Sequence, residues 1–173
     1  YTQIGLLYGM REIIRNLTEI PAGVFADVFG RKKSLILAFS CYILSFILFL
    51  LSGRFWIFGF AFGLYAIGDA FRTGTHKAII LSYLDLKGWT SQKVHYYGHT
   101  RSWSQIGSAV SALLAGAMVL VFKEYRIGFM VSILPYFAQI INLSLYPAEL
   151  NSSGNQNKFI GIKTQFYQTA RSF

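Results

Sequence analysis

Uncharged stretches dominate the chain. Ser34 to Gly53, Ser102 to Phe122 and Ile127 to Ala148 contain no Asp, Glu, Lys or Arg, and each is about as long as the ~20 residues a helix needs to cross hydrocarbon. Two further helices are expected on a different pattern. From about Ile4 to Ala26 the chain carries Arg11, Glu12, Arg15 and Glu19. At about 100° per residue these four fall within an arc of about 100°, together with Tyr8, Ala22 and Ala26. One polar stripe on an otherwise apolar helix should face a water-filled cavity or a neighbouring helix. The alternative is an amphipathic helix lying on the membrane surface. Phe55 to about Leu84 starts apolar and then places Asp69, Arg72, Thr73, Thr75, His76 and Lys77 toward its second half.

Composition makes this a membrane chain. Hydrophobic residues are 54% of the total and charged residues 13%, against roughly 25% charged in a soluble domain. The net charge of +9 would suit nucleic acid, but the cations are distributed by loop. One side holds Arg31, Lys32, Lys33, Lys87, Lys93, Lys158, Lys163 and Arg171, the other only Arg54, Lys123 and Arg126. That asymmetry follows the positive-inside rule, puts Arg31 to Lys33 in the cytoplasm, and argues against a nucleic-acid partner. Cys41 stands alone in an apolar run, so no intrachain disulfide is possible.

The candidate chemistry sits on the two charged helices. Within the first, Glu12 and Arg15 are i,i+3, while Arg11 and Arg15, and Arg15 and Glu19, are i,i+4. On the second, Tyr65, Asp69, Arg72 and His76 share a face, with Asp69 and Arg72 i,i+3 partners. A carboxylate, a guanidinium and an imidazole in line suit a proton relay or an anion site in a membrane. A structural ion pair is the plainer reading. Tyr8, Arg11, Arg15, Asp69, Arg72 and His76 are therefore the candidate lining of a solute or proton cavity. Gly59, Gly63, Gly68 and Gly74 are expected to let other helices approach closely. Arg101, Gln105, Ser108 and Ala112 share a face that reads as a helix-packing seam. The wholly apolar Ser34 to Gly53 segment should sit against lipid, with Ile127 to Ala148 also peripheral and kinked at Pro135. Asp85 to about Val94 reads as a polar cytoplasmic loop, with Trp89 at the interface. No P-loop, zinc-spaced Cys/His cluster or serine elbow is present. His95 and His99 are i,i+4 but lack an acidic or cysteine companion. No cofactor, metal site or enzyme activity is expected.

Between the first two helices lies Gly23-Val24-Phe25-Ala26-Asp27-Val28-Phe29-Gly30-Arg31-Lys32-Lys33-Ser34-Leu35. Its spacing, Gly-x-x-x-Asp-x-x-Gly-Arg-Lys-x-x-Leu, resembles the signature loop between the second and third helices of major facilitator superfamily transporters. The resemblance carries Gly23, Asp27, Gly30, Arg31 and Lys32 onto that motif, where the family's loop clamps one half of the transporter to the other with the acidic residue as latch. Val28 stands where a basic residue is usual, and Phe25 where leucine is common. An ordinary positive-inside turn without a switching role is the alternative.

The resemblance implies an all-α, polytopic membrane bundle. The chain would be an N-terminal-half fragment spanning the second to sixth of twelve transmembrane helices, partnered by the remaining helices of the full-length protein. Residues 1–148 would form a five-helix partial bundle and residues 149–173 the start of the cytoplasmic loop between halves. Phe159, Ile160, Phe166 and Tyr167 interleaved with Lys163 and Arg171 suit a helix on the cytoplasmic leaflet. The implied function is secondary transport of a small organic solute across the cell membrane by alternating access, ion-gradient driven or facilitative, with efflux-type transport favoured and protons a candidate partner. Glu19-Ile20-Pro21-Ala22-Gly23 resembles several bacterial efflux members, whereas the segment around Ser111 and Ala112 lacks the Gly-Pro pair of the family's proton-coupled exporters. The rival is a non-transporting membrane sensor or assembly partner that keeps the fold.

Overall fold

The computed structural model describes residues 2–51 and 53–146. They form five helices: α1 (Thr2–Phe29), α2 (Arg31–Leu51), α3 (Phe55–Leu86), α4 (Lys93–Phe122) and α5 (Arg126–Ser144), with a single 3-10 turn at Thr90–Gln92 before α4. The all-α expectation holds. α2, α5 and the segment from Thr90 through α4 are long and apolar enough to cross a membrane. The stretch expected to lie on a leaflet falls outside the described residues.

The connectors are shorter than the sequence suggests. The thirteen-residue signature stretch is almost wholly helical, and only Gly30 separates α1 from α2. The Gly30 amide donates to Ala26 O at 3.1 Å and its carbonyl accepts from the Ser34 amide at 3.1 Å, so one residue closes the first helix and opens the second. Its φ of 98° lies where a Cβ is penalised by about 1–2 kcal/mol. Gly30→Ala is therefore expected to lower the stability of the full-length protein in detergent by that amount, with Gly30→Asn losing less because Asn tolerates left-handed backbone. Equal stability of the Ala variant and the parent would refute the turn geometry. At the other end of α2, Gly53 and Arg54 lead into α3. The α3–α4 turn is held by Asp85, whose Oδ1 accepts from Lys93 Nζ at 2.6 Å and Thr90 Oγ1 at 3.2 Å. Hydrogen bonding from Lys93 keeps that carboxyl below its ordinary value.

Packing corrects one expectation. The apolar α2, expected to face lipid, buries Leu35, Phe39, Tyr42, Phe46 and Phe49, along with Ser34 and Ser45. The apolar set advances by four and three residues alternately, a 3.5-residue repeat that keeps one seam against its neighbours. Along α3 the contacts run antiparallel, from Ser45 Oγ on Ala61 O at 2.8 Å to Ser34 Oγ beside Thr75 Oγ1 at 3.4 Å. On its α5 side Phe46 stacks on Tyr136 at 5.5 Å and Phe49 on Phe129 at 5.0 Å. Only the remaining face, with Leu37, Leu44 and Leu51, is exposed. Hydropathy cannot separate these faces, because a lipid-facing leucine and a neighbour-facing phenylalanine are equally apolar.

α1 runs parallel to α3, with Tyr8 edge-on to Phe62 at 5.4 Å and Phe25 edge-on to Phe71 at 5.3 Å. Of the four α3 glycines only Gly68 is tightly required. A Cβ there would stand 2.9 Å from Ala38 O, whereas one on Gly74 would meet nothing within 4 Å. α4 buries none of its residues among the described helices, so the small-residue face containing Ser108 and Ala112 is uncovered.

Candidate functional site

Three helices bring their charged residues to one level. Arg15 lies at the middle of the 28-residue α1, Tyr42 beside the middle of the 21-residue α2, and Asp69 and Arg72 flank the middle of the 32-residue α3. The i,i+3 spacing puts Arg72 Nη2 3.1 Å from Asp69 Oδ1, as expected. Two partners come from elsewhere. Arg15 Nε approaches Asp69 Oδ2 to 3.3 Å, an electrostatic approach without the alignment of a hydrogen bond. Tyr42 donates its hydroxyl to Asp69 Oδ1 at 3.0 Å and accepts from Arg72 Nε at 3.1 Å. Asp69 is 7% exposed, and burying a carboxylate so far from water costs its hydration, which these partners replace.

The network continues toward the start of α1. Glu12 pairs with Arg15 and Arg11, each at 3.3 Å. The Arg11 guanidinium sits 5.3 Å from the Tyr65 ring centre and 5.9 Å from that of Tyr8, the geometry of cation–π attraction. Three guanidiniums thus face two carboxylates. Of the six candidate cavity residues, Arg11, Arg15, Asp69 and Arg72 are joined, Tyr8 borders them through Arg11, and His76 lies one turn beyond Arg72.

His76 and Arg72 separate two cavities. The first, of about 390 Å³, lies between α2, α3 and α5, with Tyr42, Tyr65, Tyr136 and Gln139 in its wall. The second, of about 220 Å³, lies between α3 and α4, with Lys77, Thr100, Arg101, Ser104 and Gln105 in its wall. Arg101 and Gln105, expected in a packing seam, line this cavity instead because α4 stands off from α3. Periodicity does not single out Tyr136. A usable sign exists for Tyr42: Ser34, Ala38, Tyr42 and Ser45 recur at helical spacing, marking one face of an otherwise oily helix.

The signature residues sit at the Gly30 end. Arg31 donates to Ala78 O at 3.2 Å and to the Ser82 hydroxyl on α3. Lys32 Nζ donates to Ser144 O at 2.8 Å and Tyr146 O at 3.0 Å, where a cation is favoured by the exposed carbonyls of a helix C-terminus. Asp27 is exposed, and Gly23 has open space around it. Near the same end His95 and His99 stack at 6.4 Å, and Trp103 Nε1 donates to His99 Nε2 at 3.0 Å.

A family model described as Major Facilitator Superfamily matches residues 1–172. No curated protein and no solved structure matches the chain.

Proposed function

Because the chain belongs to the major facilitator superfamily, whose members are membrane transporters rather than enzymes, we propose that it moves a small organic solute by alternating access around the mid-height site. The reading rests on one observation: the buried Asp69 carboxylate is held by side chains from three helices, Arg15, Tyr42 and Arg72. Two guanidiniums on different helices competing for one carboxylate can exchange shares of it as the helices shift. A solute or proton that engages any member changes that balance, which is how differential contacts bias a two-state element. Tyr8, Arg11 and His76 extend the site toward either end. Transport sites of this kind lie near the bilayer midplane, and the positions of all four central residues near the middle of their helices support that reading. The driving energy comes from an ion gradient or from the solute's own gradient.

The same proposal gives the Gly30 end a separate role. Arg31 ties α2 to α3 and Lys32 ties α2 to the end of α5 there, while the exposed Asp27 remains available to dock against the opposite half. By the charge asymmetry of the loops this end faces the cytoplasm at the cell membrane.

Flux into vesicles containing the full-length protein tests the site. Arg72→Ala removes the donor shared by Asp69 and Tyr42, and gradient-driven uptake should fall by at least about tenfold, the effect of one lost charge-assisted contact. Flux at the parent's rate in both Arg72→Ala and His76→Ala vesicles would remove the site assignment.

A further inference from the structure

The two cavities differ in what their walls offer. Phenols and an amide dominate the first, whereas the second is bordered by Arg72, Lys77 and Arg101 with no Asp or Glu in its wall. The carboxylates of α3 are already engaged, Asp69 by Arg15 and Arg72 and Asp85 by Lys93. Lys77 lies 5.2 Å from the centre of the Tyr97 ring, which steadies the ammonium without neutralising it. Neither Lys77 nor Arg101 forms an ion pair among the described residues. Like charges gathered around one cavity repel one another unless a counter-ion joins them.

We propose that the α3–α4 cavity recognises an anion bearing a carboxylate or phosphate group, and so sets the substrate class of the transport site. This assignment rests on the transport reading above. Lys77 and Arg101 approach from opposite walls, one from each helix, and Arg72 closes the inner end. Ser104, one turn beyond Arg101 on α4, adds a hydroxyl donor. A planar guanidinium matches the paired oxygens of such groups, and the ammonium adds a point charge. The cavity's about 220 Å³ admits a compact head group rather than a drug-sized molecule. Arg72 belongs to both the carboxylate network and the cavity wall, so an arriving anion competes directly with Asp69 for it. Binding is thereby coupled to the ion pair that joins α3 to α1.

The test is ligand-dependent thermal unfolding of the full-length protein in uncharged detergent. Inorganic phosphate and succinate are titrated against sodium chloride of equal ionic strength and against tetramethylammonium. Phosphate or succinate should raise the midpoint saturably, and Lys77→Gln and Arg101→Gln should each raise the half-saturating concentration by roughly tenfold. Equal protection by sodium chloride or tetramethylammonium, no protection by either anion, or unchanged affinity in both variants overturns the proposal. A parallel series with phosphatidylglycerol separates the two sources of such a group. Saturation by the lipid alone, lost in both variants, assigns the site to a leaflet head group and overturns its role in substrate choice. Anion binding without flux would retain the site and remove the transport reading. Gradient-driven flux of a cation unaffected by either substitution would do the reverse.

Discussion

Replacing Asp69 by Asn is expected to destabilise the protein and stop transport together. The amide keeps the carboxylate's shape and can still accept from Tyr42, so the change isolates charge. Arg72 then loses its carboxylate partner, and Arg15 keeps only Glu12. Breaking a fully buried pair from one side costs about 3–5 kcal/mol, and the partial exposure of both arginines lowers this to about 2–3 kcal/mol. Unfolding in detergent measures that loss, and vesicle flux should drop by two orders of magnitude or fall below detection. Asp69→Asn combined with Arg72→Gln removes the surplus cation and should recover about half the lost stability while flux stays low. If the double variant is less stable than the parent by the sum of the two single losses, Asp69 and Arg72 are uncoupled and the network does not act as a unit.

Gly68→Leu is expected to prevent assembly of the α2–α3 pair. Even an added Cβ would stand 2.9 Å from Ala38 O, 3.2 Å from Tyr42 Cδ1 and 3.3 Å from Cys41 Cβ. The first of these is backbone and cannot turn aside, so α2 must move. Gly68→Ala should cost about 1–3 kcal/mol through overpacking, and Leu should leave little monodisperse protein on size-exclusion chromatography. Gly74→Ala, with nothing near its Cβ, should be neutral or slightly stabilising because a helix prefers Ala to Gly. Pushing Tyr42 outward also pulls its hydroxyl from Asp69, so Gly68→Ala should reduce flux more than its stability loss alone accounts for. Identical behaviour of Gly68→Ala and Gly74→Ala would show that helix separation is not set at Gly68.

Charge spacing within a helix is legible in the order of residues alone. Asp69 with Arg72 and Glu12 with Arg15 are i,i+3 pairs and form the contacts that their spacing implies. Of the charged stripe on α1, Arg11 and Arg15 reach α3, whereas Glu12 and Glu19 are exposed. Gly30 is legible as a helix stop, although the connector it makes is one residue rather than a loop. Tyr42 is harder to see, because a phenol among leucines gives no hint of which helix will present it an acid. The surroundings of α2 are hidden too, because burial against protein and exposure to acyl chains demand the same side chains.

Helicity, apolar runs long enough to span a bilayer, and charges confined to particular helix faces are all properties of the linear chain. They follow from short-range periodicity and from the cost of placing charge in hydrocarbon. Three features arise only when the helices pack: Arg15 and Tyr42 share Asp69 with Arg72, α2 fills the space between α3 and α5, and Lys77 and Arg101 border one cavity. Partners on separate helices are set by how closely backbones approach, here at Gly68 against Ala38, and no periodicity within a single helix encodes that distance.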